Sequence, residues 1–289
     1  MVGQVEDAGQ SLGRHRLIVG DTFDPATRAA LLEPDGGRVD LVVTDPPYAV
    51  YGSSTGIGAS IADDGMVRPF FRELAQVLAE VAKVWAHVYV CCDWRSWPSV
   101  WDGFKARLAP KNLIVWDKGG SGLGSSYANA YELVGFFARL PPARTMKSSE
   151  ARGQRTVHKP NLKRQEPTAK RRNPEEATPL ELEGMEQLMR RFNRPHGEER
   201  NHNAAKPPEL FAWFITNSSD EGAVVLDCFA GGGATLEACE TLNRSARLIE
   251  REPDTADSIV ARWVKLTGGE PVRVERFVET HARATISPS

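Results

Sequence analysis

Four cysteines are scattered through the 289 residues, Cys91, Cys92, Cys228 and Cys239, and none has a Cys-x-x-Cys or mixed Cys/His ligand spacing. That argues against a thiolate zinc site or a redox pair; the four sit in apolar runs and are expected to be reduced core residues. His158, His196 and His202 likewise form no ligand spacing, so no metal is expected. No stretch approaches the ~18 apolar residues that a membrane helix needs. Nor does a charged region lead into an apolar run near the N-terminus. A cytoplasmic protein with no membrane partner is expected. There is no internal repeat, and no Gly-x-Gly-x-x-Gly turn near the N-terminus of the kind that opens a nicotinamide-binding domain. A surplus of positive charge is also missing, since the formal net charge is -2. Net charge averages over faces, however, and a basic stripe can hide inside a near-neutral total.

What is present is enough apolar material, 41% of residues, to bury one large core. Residues 1–14 are polar and Gly-rich and are expected to form a loose tail. After them come a buried strand over 16–21, a short helix over 26–33 and a second strand over 39–45 with a polar tip. Residues 49–66, rich in Gly, Ser and Ala without periodicity, form a long loop. Phe70, Phe71, Leu74, Val77, Leu78, Val81 and Trp85 recur at helical spacing, which predicts an amphipathic helix over 68–85. A strand over 87–93, a helix over 94–108 and strands over 111–116 and 131–138 follow. Trp94, Trp97, Trp101 and Trp116 fall in these elements and are expected as core or sheet-edge residues. From 207 onward helix and strand alternate again: helices over 207–216, 234–242 and 253–266, strands over 223–227 and 246–250, and an edge strand over 272–277. Such alternation predicts an α/β fold with a parallel sheet.

Between the two halves the pattern breaks. From Pro141 to Arg172 ten basic residues (Arg144, Lys147, Arg152, Arg155, Lys159, Lys163, Arg164, Lys170, Arg171, Arg172) stand against two glutamates, Glu150 and Glu166. An acidic stretch and a second basic, helix-like piece over 189–194 follow. A basic block in an otherwise balanced chain is an electrostatic footprint for nucleic acid. Three regions are therefore expected: a catalytic half over 15–140, an inserted recognition region over 141–200 and a cofactor-binding half over 201–289.

Two turns carry the chemistry. Asp227-Cys-Phe-Ala-Gly-Gly-Gly-Ala-Thr235 passes from a buried strand into a helix, with glycines that allow a tight bend and close ligand approach. The helix N-terminus offers free N–H groups to a carboxylate. Glu250, at the tip of the next strand, can accept hydrogen bonds from ribose hydroxyls. Together these point to an adenosine-containing cofactor, with NAD and S-adenosylmethionine both open. Asp45-Pro46-Pro47-Tyr48 decides between them. Two prolines at a strand's end make a rigid, extended backbone whose carbonyls face outward as fixed acceptors. An exocyclic base amine is a poor nucleophile because its lone pair is delocalised. The Asp45 carboxylate and Pro46 carbonyl, by accepting its two hydrogens, would free that lone pair for in-line attack on a sulfonium methyl. Tyr48 offers a flat face on which an extruded base can stack. Taken alone, Asp-Pro-Pro-Tyr also suits a surface turn, Lys206-Pro-Pro a helix start, and Asp21 a strand end.

The Asp-Pro-Pro-Tyr motif, the glycine turn and their order resemble the β-group amino-DNA methyltransferases, over about 16–140 and 200–268. The resemblance implies a Rossmann-like S-adenosylmethionine-dependent methyltransferase fold: a mostly parallel seven-stranded sheet, helices on both faces and a circularly permuted motif order. It implies that Asp21, Thr22 and Phe23 contact the cofactor adenine, and that the segment holding Lys206 lies on the methionine side. Asp45, Asp227, Phe229, Ala230, Gly231, Gly233, Thr235 and Glu250 complete the cofactor set. Trp116-Asp-Lys118 and Tyr131-Glu132 resemble the family's target-side motifs. Gly232 and Ala234 depart from it, standing where Ser and Thr are common, which implies fewer hydroxyl contacts to the cofactor. Aspartate before Pro-Pro-Tyr leans toward adenine-N6 over cytosine-N4. The expected partner is duplex DNA, with a homodimer and a cognate restriction endonuclease left open. A noncatalytic DNA-binding protein on a decayed methyltransferase scaffold is the rival reading.

Overall fold

In the computed structural model, which describes residues 4–48, 64–118, 130–139, 190–191 and 206–278, the apolar strand runs pair into one sheet. In chain order the strands are β1 (Gln4–Leu12), β2 (His15–Val19), β3 (Val39–Thr44), β4 (Ala82–Cys92), β5 (Leu108–Asp117), β6 (Tyr131–Arg139), β7 (Arg190–Arg191), β8 (Val224–Asp227), β9 (Ser245–Glu250) and β10 (Val272–Val278). Their order across the sheet is β10-β1-β2-β9-β8-β3-β4-β6-β5-β7. The sheet has ten strands rather than the seven expected: the seven central ones, β2 to β5 in that order, are the expected set, and β1, β7 and β10 extend it. The neighbours from β2 to β4 run parallel, and β6 is antiparallel to both β4 and β5.

Alternation along each strand decides which face each side chain serves. Leu41, Val43, Tyr89, Cys91 and Val225 point to one face, covered by α4 (Pro208–Ser218), α5 (Ala234–Thr241) and α6 (Pro253–Thr267). Val42, Val88, Val90, Cys92 and Leu226 point to the other, covered by α1 (Pro25–Leu32), α2 (Asp64–Val81) and α3 (Trp97–Phe104). All four cysteines are buried free thiols, as their apolar runs predict.

Three expectations are corrected. Residues 4–12 are not a tail but a strand paired antiparallel with β10 on one side and β2 on the other, so that β10 forms the edge, and Leu12 is fully buried. A strand whose partner on one side lies some 260 residues away leaves little local signal. The register shifts between Asp7 and Gln10, and Gly9 takes up that irregularity at φ 112°, where a side chain would strain the backbone. The next strand is anchored by fully buried His15: its Nδ1 accepts from Ala246 N at 2.9 Å, so the proton sits on Nε2 and is donated to Glu240 at 2.7 Å. Second, α2 stops at Val81, and Trp85, expected on its apolar stripe, stands exposed on β4. The 3–4 spacing runs on by chance into a β-branched and aromatic run with stronger strand character. Third, α3 is shorter than expected because the Asp93 carboxylate accepts from Ser96 N and Oγ, at 2.8 and 2.7 Å, turning the chain before the helix. Of the tryptophans expected in the core or at a sheet edge, Trp94 and Trp101 are exposed, whereas Trp116 is fully buried.

Helices α2 and α3 meet at Gly103, where an added Cβ would lie 2.9 Å from the Phe71 carbonyl carbon and oxygen. Backbone cannot yield as a flexible side chain would. Gly103→Ala is expected to lower stability by about 2 kcal/mol in urea titration, with unchanged m-value.

The loop over 49–63 and the insert, with all ten basic residues from Arg144 to Arg172, lie outside the described residues. Of the insert, only Arg190–Arg191 is described, and it is not the helix-like piece expected there but a short strand running parallel beside Trp116 and Asp117 of β5, with whose backbone it pairs. Among the described residues no helix is long and apolar enough to cross a membrane, and no group of His, Cys, Asp or Glu could hold a metal ion.

Candidate active site

The permuted halves meet where β3 lies beside β8, with Leu41 opposite Val225 and Val42 opposite Leu226. Both strands end at the same edge, so the Asp45 and Asp227 turns are neighbours, as the permuted motif order requires. A buried hydrogen bond ties them: Thr44 Oγ1 donates to Asp227 Oδ1 at 2.9 Å and accepts from Cys228 N at 3.2 Å.

On the β8 side, Asp227 organises the glycine turn. Besides Thr44 it accepts from Phe229 N at 3.1 Å and from Thr235 Oγ1 at 2.5 Å. Burial nevertheless raises its carboxyl to about 6, against the pull of these donors. Gly231 and Gly233 adopt φ of 49° and 78°, the left-handed region that glycine enters without strain. A Cβ at Gly231 would find only the Phe229 carbonyl, at 3.8 Å, so this side of the turn is open to a ligand. Gly231 N donates to Glu250 Oε2 at 2.8 Å, while Glu250 Oε1 accepts from Arg251 N and Glu252 N at 2.9 and 3.0 Å. The acid predicted to face a ribose is thus fixed at the strand tip. Ala234, where the family commonly has a hydroxyl, is buried in the core, and the Gly232 carbonyl accepts from Arg262 at 2.6 Å.

After β2, Asp21 is exposed and its Oδ1 accepts from Phe23 N at 2.8 Å, while buried Thr22 donates to the Cys228 carbonyl at 2.5 Å. The Phe23 ring meets Phe70 edge-on at 5.3 Å, and Phe70 lies 6.0 Å from Phe229. An apolar wall at the ends of β2 and β8 with an acidic residue beside it fits an adenosine group. Sequence reasoning places Phe70 only on a helix stripe, because its position against Phe23 depends on how α2 crosses the sheet. A separate cleft between α1, α2 and α3, lined by Arg28, Arg72, Asp102 and Arg107 among others, shares only Phe23 with these predicted residues.

On the β3 side a compact charged network forms. Tyr48 Oη lies 2.7 Å from Asp45 Oδ1 and 3.0 Å from Glu132 Oε2. Lys206 Nζ lies 2.6 Å from Asp45 Oδ2 and 3.1 Å from Glu132 Oε2, above the Tyr48 ring at 5.1 Å. Lys118 pairs with Glu132 Oε1 at 3.5 Å. Lys118, Glu132 and Lys206 are all buried. Burial pushes the Asp45 carboxyl up, Lys206 pulls against it, and Glu132 adds to the rise. Burial alone would lower the Lys206 ammonium, yet Asp45 and Glu132 together hold it well above the usual lysine range. Burial, with the same two carboxylates, keeps the Tyr48 phenol protonated as a donor. Lys206, placed by sequence on the cofactor side, thus spans Asp45 and Glu132. Glu132 and Lys118 enter the sequence reading only through resemblance; an acid opening an otherwise apolar strand is the available signal.

A comparison with curated proteins finds no match. Among solved structures, the M1.HpyAVI complex with SAM matches with a TM-score of 0.58 at 18% identity, over 85% of this chain and 97% of that one. TTHA0409 from Thermus thermophilus, a putative DNA modification methylase complexed with S-adenosyl-L-methionine, matches with a TM-score of 0.57 at 20% identity, over 89% and 96%. The PvuII DNA methyltransferase, cytosine-N4-specific, matches with a TM-score of 0.61 at 14% identity, over 89% and 90%. These likenesses share the fold built above. The N6/N4 methyltransferase family model, described as DNA methylase, matches residues 39–261, from the start of β3 to within α6, and so spans both turns. With that match over most of its length, and with its Asp-Pro-Pro-Tyr and glycine turns joined at one sheet edge, the chain belongs to the N6/N4 DNA methylase family.

Proposed function

We propose that this DNA methylase transfers a methyl group from S-adenosylmethionine to the N6 amine of adenine in duplex DNA, with the target base flipped out of the helix. The observation that carries the reading is the Thr44–Asp227 hydrogen bond, which holds the amine-binding turn against the cofactor turn. S-adenosylmethionine, when bound, would supply an electrophilic methyl on its sulfonium; as the amine nitrogen forms the N–C bond the C–S electron pair would return to sulfur, and the proton shed by the nitrogen would leave by way of the Asp45 carboxylate. Gly231, Gly233 and the first turn of α5 would receive the cofactor's carboxylate end, Glu250 would hold its ribose, and Phe23 and Phe229 would flank its adenine. Asp21 and Thr22 shape that wall, and Thr235, Ala230 and Asp227 hold the turn in register.

Asp45 and the Pro46 carbonyl accept the two hydrogens of the amine, Pro47 stiffens the turn and the Tyr48 ring stacks on the base. The Asp45 side chain is only 17% exposed, so a base still paired within a duplex cannot reach it. The Arg144 to Arg172 block supplies phosphate contacts that set the register of the DNA. The chain is accordingly divided into a catalytic half, 15–140, a recognition region, 141–200, and a cofactor half, 201–289.

The test is incubation with tritiated S-adenosylmethionine and mixed-sequence duplex DNA, followed by nucleoside analysis. Labelled N6-methyladenine is expected. Labelled N4-methylcytosine would keep the reaction class and reassign the base. An absence of label with the cofactor bound would favour a decayed scaffold.

A further inference from the structure

Asp45 is not alone with its donors. Tyr48 and Lys206, which occupy one oxygen each of its carboxylate, both also reach the same oxygen of Glu132, at 3.0 and 3.1 Å. We propose that Glu132 is a positioning residue for methyl transfer: it shares Tyr48 and Lys206 with Asp45 and so leaves the Asp45 carboxylate able to accept a hydrogen of the target amine. This inference rests on the reading of Asp45 given above.

A carboxylate offers about four lone-pair sites, so two donors leave room for more. The obstacle is electrostatic rather than steric. An ammonium and a phenol committed to Asp45 alone would largely neutralise it and weaken it as an acceptor. Glu132 competes for both and cannot drift, because β6 holds it opposite Trp116 of β5 in the sheet. Lys118 balances the Glu132 charge from the far side, through the other carboxylate oxygen. Burying two carboxylates and two ammonium groups costs desolvation energy that an apolar set would not, and such departures from the apolar pattern concentrate at working sites. The groups facing Asp45 are Lys206 ahead of α4, Glu132 on β6, Cys91 on β4, Asp227 on β8 and Tyr48 on its own turn; Lys118 acts through Glu132.

The experiment measures single-turnover methyl transfer to mixed-sequence duplex DNA across pH, with calorimetry of S-adenosylmethionine binding. In Glu132→Gln, Lys206 and Tyr48 fall to Asp45, which becomes less basic. Transfer should drop roughly tenfold or more, the acid limb should move to lower pH, and cofactor affinity should stay within about twofold of wild type. Lys118→Gln removes the balancing charge and should move the same limb to higher pH. A purely structural Glu132 would leave the limb in place in both variants, and that result overturns the proposal. If Glu132→Gln does not fold, Lys118→Gln decides alone. Transfer that survives Asp45→Ala would instead overturn the Asp45 reading itself, whereas loss there with wild-type behaviour of Glu132→Gln removes only the role of Glu132.

Discussion

Asp45→Ala is expected to lower methyl transfer by on the order of a thousandfold or more while leaving S-adenosylmethionine affinity within a few fold of wild type. On the proposed mechanism the variant removes the charged acceptor that activates the amine and leaves only the Pro46 carbonyl. The cofactor side is built independently: Asp227 keeps its three donors and Glu250 keeps Gly231. The fold should tolerate the change, because Lys206 retains Glu132 at 3.1 Å and is not left as a buried unpaired charge. Asp45→Asn is the stricter probe, since it preserves shape and removes charge. Undiminished transfer in either protein would sink the assigned role.

The second large effect is on stability. Asp227 is 1% exposed and accepts from Thr44, Phe229 N and Thr235. Asp227→Ala leaves two buried hydroxyl donors and the part-buried Phe229 N–H without their acceptor, at a cost of about 3 kcal/mol or more, visible as a clear fall in melting temperature. The same carboxylate makes stability depend on pH. Burial raises it in the folded protein to about 6, from 3.8. Between those values the folded state binds more protons than the unfolded one, so this group's contribution to stability grows as pH falls through the window and is lost as pH rises through it. Asp227→Asn cannot titrate and should flatten the stability profile between about pH 4 and 6. A profile identical to wild type would place the titration elsewhere.

The site was unevenly legible. Asp45 through Tyr48 and the Asp227 to Thr235 turn are contiguous, and their chemistry follows from residue types that a strand end presents together. Glu250 was legible because a strand tip lies at a regular distance after a glycine turn. Lys206, Glu132 and Lys118 were legible through resemblance to family motifs, but their convergence on Asp45 and Tyr48 was not visible. They come from three separate segments, and an isolated Lys or Glu is ordinarily a surface residue. Phe70 was hidden differently, since at helical spacing a core position and a pocket wall look the same.

By itself, the sequence determined the α/β class, most element positions and the two motif turns, because hydrophobic periodicity and turn chemistry act over a few residues. Only the tertiary structure decided that residues 4–12 close one edge of the sheet with β10, that α2 gives way to β4 directly after Val81, and that Asp45 shares its donors with Glu132. Those outcomes depend on pairings between residues tens to hundreds of positions apart, where burial and electrostatics act through space and leave no local pattern to read.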